Sequence, residues 1–176
     1  MDSPEALEVD LRPWAEGDLD LLIRLLGDPA MTEHLGGPEP LEKIHARHQR
    51  YCAESQTEPY RLFAILAGSE RTPAGWVGYW EAEENGEPAW EMGWSVLPEF
   101  QGRGLASQAA RMVVERVRAE GKHRFLYAYP AAGNGPSNAI CRKVGFTWIE
   151  EGDFEYPKGS FMRCNVWRMA LDHGIH

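Results

Sequence analysis

The run Gln101-Gly102-Arg103-Gly104-Leu105-Ala106 constrains this chain more than any other. It follows a strand-like run, Trp90 to Val96, and opens a helix-like run, Leu105 to Glu120. A strand, a glycine-broken turn and a helix N-terminus together make an anion site. The N–H groups of the first helical turn are unpaired, and the helix dipole adds roughly half a positive charge. Gly102 and Gly104 carry no Cβ, so the backbone can approach a ligand closely. The pattern predicts a phosphorylated ligand.

Two better-known phosphate loops do not fit. A P-loop needs Lys-Ser/Thr after its last glycine, where Leu105 and Ala106 stand. A dinucleotide fingerprint needs GxGxxG or GxGxxA in an early βαβ unit. Here the sixth position is Ser107, and the turn comes late, after a largely antiparallel stretch.

The alternation Leu7, Val9, Leu11 against Glu8, Asp10, Arg12 predicts a first strand. Asp18 is expected to cap a helix from Leu19 to Leu26 closed by Gly27. Pro29 to Pro40 reads as a loop and Leu41 to Glu54 as a helix. Arg61 to Leu66 and Gly75 to Glu81 read as strands, and Glu84-Asn85-Gly86-Glu87 as a type I′ hairpin leading into Ala89 to Val96. After the glycine turn, Ala106, Ala109, Ala110, Val113 and Val117 give the next helix one buried face, and Gly121 ends it. Arg124 to Tyr129 is a strand stopped by Pro130, Ser137 starts a short helix ending at Gly145, and Phe146 to Glu150 and Arg163 to Leu171 close the fold. This order predicts an α/β (α+β mixed) architecture. Its centre is a largely antiparallel mixed sheet of about six to seven strands, flanked by about four helices.

The length of 176 residues suits one domain, 1–176, and a 43% hydrophobic fraction fills its core. The net charge of −9 argues against a nucleic-acid partner, which needs a basic face. No apolar run approaches the ~18 residues of a membrane span, and Met1-Asp2-Ser3-Pro4-Glu5 lacks the apolar stretch of a secretory leader. Cys52, Cys141 and Cys164 are widely spaced and odd in number, which points to a reducing, cytoplasmic setting. His45-x-x-His48 lies at helical spacing, but no third ligand stands near it, so no metal site is expected.

Three motifs in order carry a family resemblance. Gln101-Gly102-Arg103-Gly104-Leu105-Ala106 matches Q/R-x-x-G-x-G/A, Asn134-Gly135-Pro136-Ser137 matches N-x-x-S, and Lys143-Val144-Gly145-Phe146 matches K-L-G-F. Together they resemble the GNAT superfamily of acyl-CoA-dependent N-acetyltransferases. Glu91-Met92-Gly93-Trp94 resembles the E-x-G-Y/W strand of the branch that includes ribosomal-protein N-terminal acetyltransferases. The resemblance covers nearly the whole chain. It implies a sheet that splays at the cofactor site, acetyl-CoA as co-substrate, and an amine acceptor, either a peptide N-terminus or a small molecule. A homodimer is the ordinary prior for a soluble enzyme.

The resemblance also implies roles. The pyrophosphate of acetyl-CoA lies on the N–H groups of Gly102, Arg103, Gly104, Leu105, Ala106 and Ser107. Arg103 is either a phosphate contact or a solvated loop arginine, and Gln101 stabilises the turn. The pantetheine arm pairs with the strand edge at Ser95, Val96 and Leu97, with the Val96 N–H as oxyanion donor. Asn134 contacts the arm, with Asn138 a weaker candidate, and Ser137 is a helix cap, a cofactor contact or both.

Acetyl transfer needs a deprotonated amine, and an alkylammonium with a pKa of ~10 holds its proton at neutral pH. Glu91 is the candidate base, weighed against a plain strand-edge carboxylate. Glu33 and His34 are alternatives in the N-terminal part, where this family builds its acceptor pocket. Many relatives place a tyrosine acid where Cys141 stands here, which leaves Ser137 and Cys141 as candidate acids and a packing role for Cys141 open. Trp80, Trp90 and Trp94 flank the candidate base, and Phe154-Glu155-Tyr156-Pro157 is a loop that closes the acceptor cleft or meets a second subunit. The expected reaction is direct transfer in a ternary complex. The alternative is an acyl-CoA-binding sensor without catalysis.

Overall fold

A computed structural model describes residues 7–155 and 158–171. The acidic stretch Met1 to Glu5 and the pair Tyr156-Pro157 lie outside the described residues. The elements run β1 (Val9–Pro13), α1 (Leu19–Gly27), α2 (Leu41–Glu54), β2 (Leu62–Ala67), β3 (Thr72–Glu84), β4 (Glu87–Val96), α3 (Leu105–Glu120), β5 (Phe125–Ala128), α4 (Gly135–Val144), β6 (Thr147–Glu155) and β7 (Phe161–Ala170). The strands form one sheet in the order β1-β2-β3-β4-β5-β7-β6. Among the described residues only the β4–β5 pair is parallel. The mixed, mostly antiparallel sheet expected from the element order is therefore present.

Local chemistry explains the element ends. Asn85 and Gly86 both have positive φ, 53° and 79°, as a type I′ turn requires, and this pins Glu84 opposite Glu87. The register then runs unbroken to Gly75 opposite Val96. Gly104 (φ 80°) and Gly121 (φ 61°) sit left-handed at the two ends of α3, so its bounds match the sequence reading.

Both faces of the sheet are covered near β2, whose six residues are all buried. On one face α3 lays Leu105, Ala109, Ala110, Val113 and Val117 against Phe63, Ile65, Val77, Trp90 and Met92. On the other, α1 and α2 bring Leu22, Leu25 and Ile44 onto Leu62, Ala64 and Leu66. Burying each Leu, Ile, Val, Phe or Met side chain among these is worth about 1.5–3 kcal/mol. The clusters put α1 and α2 over the β2–β3 end of their face. Beyond them, on that same face, Ala89, Tyr127 and Val166 form a small separate cluster on β4, β5 and β7.

Three sequence expectations are corrected. Asp18 does not cap α1 through its side chain; its carboxylate instead takes the Arg12 guanidinium at 2.8 and 2.9 Å and the Ala15 N–H at 2.9 Å. Asn134, not Ser137, is the cap of α4, and its side chain accepts the Ser137 N–H at 3.2 Å. The last hairpin is longer than the apolar pattern suggests, because β6 is solvent-facing and its polar residues hide the strand period.

Candidate active site

Strands β4 and β5 pair only at Trp90 with Leu126 and Glu91 with Tyr127. Past that point β4 runs on to Val96 without a partner on its β5 side, so the sheet is splayed there. Antiparallel strands alternate the direction of their N–H groups. Leu97 donates its N–H to the Ala74 carbonyl at 2.8 Å, across the β3 side. By alternation Ser95 also faces β3, while Trp94 and Val96 face the open gap. Of the three predicted pairing residues, Val96 thus has its backbone on the free edge. Ser95 and Leu97 do not, and Leu97 is buried against the α1–α2 cluster. Trp94 is the second free N–H, one alternation deeper. The sequence reading missed it, although the hairpin register predicts it.

The glycine turn closes one end of this gap. Gly102 (φ 75°) and Gly104 (φ 80°) adopt the left-handed backbone that favours glycine. The Gln101 side-chain amide donates to the Val96 carbonyl at 2.9 Å, which is the turn-stabilising role expected of it. Leu105 and Ser107 are buried and seat the helix start, and Ala106 is half-buried beside them. The Arg103 Nε is buried with no hydrogen-bond partner. A buried guanidinium donor without an acceptor is costly, and a phosphate oxygen is the natural acceptor. Arg103 is thus half-buried rather than a fully solvated loop arginine.

Glu91 lies across the strand pair from Trp80 and beside Tyr127. Burial pushes its carboxyl up from the ordinary range, the charge of Glu84 adds to that, and a hydrogen bond from Trp80 opposes it. Trp76 and Trp80 crowd Gly93 on the same face; a Cβ there would meet the two rings at 3.3 and 3.0 Å. Trp90 is instead fully buried in the α3 cluster, with Trp94 packed against that cluster. Only Trp80 of the three predicted tryptophans shares a face with Glu91.

Residues from β5 and β6 complete this face. Tyr127 and Tyr129 are stacked at 5.9 Å, and Tyr129 meets Phe154 at 5.4 Å. The Tyr129 hydroxyl donates to Glu84 Oε2 at 2.5 Å. Sequence reasoning passed over Glu84, Tyr127 and Tyr129. The signal was available in the i, i+2 spacing of Tyr127 on β5 and Tyr129 just past its end, and in the hairpin register.

The loop from Pro29 to Pro40 reaches both walls of the gap. Met31 Sδ lies 3.8 Å from the Gln101 amide, and the His34 ring packs beside Gly133. Glu33 points to solvent.

On the α4 side, Asn134 and Ser137 are half-buried at the helix start. Asn138 is spent internally: its amide donates to the Ala131 and Asn134 carbonyls at 3.0 and 2.7 Å, and its oxygen accepts from Asn165 and Trp167 at 2.9 and 2.8 Å. It is a staple between α4 and β7 rather than a cofactor contact. Cys141 is fully buried in the main core, and burial pushes its thiol up to about 12. His48 accepts from Trp14 at 3.1 Å and lies 3.1 Å from the Glu16 carbonyl, so both ring nitrogens are used within the fold.

Residues 8–147 match the acetyltransferase (GNAT) domain family. An uncharacterised N-acetyltransferase of Bacillus subtilis, YnaD, is 34% identical over 77 residues, and that match spans 43% of this chain and 44% of the relative. The chain thus spans under half the length of that relative. An acetyl transferase from Salmonella typhimurium that modifies the N-terminal serine of a 50S ribosomal subunit protein is 21% identical, with a TM-score of 0.72 over 93% of this chain and 95% of that one. A spermidine N-acetyltransferase from Vibrio cholerae, solved with CoA and spermine, is 14% identical, with a TM-score of 0.71 over 93% and 95%. At these identities the likeness is one of fold, and it does not single out the ribosomal-protein branch.

Proposed function

The chain belongs to the acetyltransferase (GNAT) family, and from that premise we propose that it moves the acetyl group of acetyl-CoA directly to a primary amine. The single observation that carries this reading is the unpaired β4 edge at Trp94 and Val96, with Glu91 on the same strand. The residues fit the co-substrate. Arg103 offers an unmatched donor at the phosphate turn, and Gly102 and Gly104 let the backbone come close. The Trp94 and Val96 N–H groups receive the amide arm and the thioester oxygen, and Asn134 and Ser137 line the opposite wall. Acetyl-CoA supplies the activated acyl group.

Glu91 takes one proton from the acceptor ammonium and passes it to water. Its raised pKa makes it a stronger base than an exposed glutamate. The nitrogen then bonds to the acetyl carbon as the carbon–sulfur bond breaks. The second nitrogen proton neutralises the departing thiolate, whose pKa near ~8.5 makes a dedicated acid dispensable. Cys141 is a core residue in this reading, and Ser137 is the one candidate left on the α4 side for a proton relay. The three cysteines are unpaired, which fits a reducing compartment such as the cytoplasm.

Thiol release from acetyl-CoA, measured with a panel of peptides, aminoglycosides and simple amines, tests this directly. The reading expects release that depends on the amine and an acetylated product by mass spectrometry. Tight acetyl-CoA binding with no release for any amine contradicts it and favours the sensor.

A further inference from the structure

Glu84 and Glu91 are half-buried, and among the described residues neither takes part in an ion pair. This sets them apart. Asp18 is paired with Arg12, Glu39 with Arg47 and Glu120 with Arg61. Glu84 holds a neutral donor, the Tyr129 hydroxyl, and Glu91 lies opposite the neutral Trp80. Glu84 holds the Tyr129 hydroxyl, Tyr129 stacks on Tyr127, and Tyr127 lies opposite Glu91, so the two carboxylates flank one pair of rings.

Their surroundings are aromatic. Trp80 is 39% exposed, and Tyr127, Tyr129 and Phe154 continue the wall across β5 and β6. Rings beside carboxylates suit an organic cation, because the ring faces attract positive charge and the carboxylates neutralise it. The splayed edge of β4 fixes where the acyl group lies; this face fixes what approaches it.

We infer that the acceptor carries a second positive charge: its reacting amine lies at Glu91, and a further ammonium or guanidinium group lies against Glu84 and the Tyr129 ring. The inference rests on the acetyltransferase reading and narrows its acceptor class. A monocation leaves one of two neighbouring carboxylates uncompensated, whereas a dication satisfies both. Glu84 is then a specificity residue and takes no part in the proton transfer.

The test compares cadaverine with pentylamine, which share a chain length and differ in one ammonium group. Thiol release should show kcat/KM higher for cadaverine by about tenfold or more, the scale of one partly desolvated charge pair. Glu84→Gln should collapse that ratio towards one, and Tyr129→Leu, in the segment after β5, should lower it in the same direction. Equal kcat/KM for the two amines, or a ratio that Glu84→Gln leaves intact, overturns the inference while leaving the transferase reading in place. If neither amine is turned over, calorimetric titration of cadaverine into the acetyl-CoA-loaded protein decides. Binding that Glu84→Gln weakens upholds the charge assignment and no binding overturns it, while the transferase reading stands or falls by the wider amine panel.

Discussion

The Gln101 side-chain amide donates to the Val96 carbonyl at 2.9 Å, so the glycine turn is latched to the edge of the strand it follows. The latch occupies the Val96 carbonyl and leaves its N–H as the polar group that edge can offer at this position. Gln101→Glu replaces the donor with an acceptor facing another acceptor. We expect acetyl-CoA affinity, measured by calorimetry, to fall about tenfold, the equivalent of ~1.4 kcal/mol, with a smaller loss for Gln101→Ala.

Glu91 must be ionised to act as a base, so its raised pKa places the acidic limb of kcat/KM above the range of an exposed glutamate. Trp80→Phe removes the hydrogen bond that favours the carboxylate and should move that limb to higher pH. Glu84→Gln removes a like charge and should move it to lower pH. Glu91→Gln should abolish the limb and cut kcat by about a hundredfold or more. The same shift has a stability consequence. A carboxyl whose folded pKa is raised stabilises the fold below its unfolded pKa and loses that contribution as pH rises through the folded value. Glu91→Gln should therefore raise the melting temperature in neutral buffer, with a smaller gain in acid.

Cys141→Ala should keep its kcat, because the thiol is fully buried in the core and burial holds it protonated. The expected cost is to stability, about 1 kcal/mol in urea denaturation for a small side chain lost from a packed site. A large loss of kcat with an unchanged denaturation midpoint contradicts this placement.

Asn138→Leu leaves the Trp167 indole N–H, the Asn165 amide and the Ala131 carbonyl each without its Asn138 partner. With a buried polar group costing about 1–3 kcal/mol when stranded, the variant should lose roughly 3 kcal/mol, read as a lower urea midpoint at unchanged slope.

The elements were most legible where glycine marks an end or a turn. Gly104, Gly121 and the Asn85-Gly86 pair bound α3 and the β3–β4 hairpin, and all four adopt the positive φ that their positions demand. Ser137 and Asp18 misled because short polar residues near a helix start have several possible partners, and only tertiary packing selects one. Asp18 went to Arg12, and Asn134 took the cap. The glycine turn and the Glu91 strand were readable as motifs. The aromatic wall was not, since Trp80, Trp90 and Trp94 look alike in sequence. Their faces follow only from the hairpin register, which sets Trp80 opposite Glu91 and sends Trp90 into the α3 core. Glu84 and Tyr129 are far apart in the chain, and no local pattern announces their contact.

Amide hydrogen exchange on the β4 edge tests the central claim most directly. Trp94 and Val96 have N–H groups that face the gap, whereas alternation turns that of Ser95 towards β3. Saturating acetyl-CoA should slow exchange at Trp94 and Val96 by about tenfold or more and leave Ser95 nearly unchanged. Equal exchange at Trp94 and Val96 with and without acetyl-CoA, at concentrations where calorimetry shows it bound, would contradict the account.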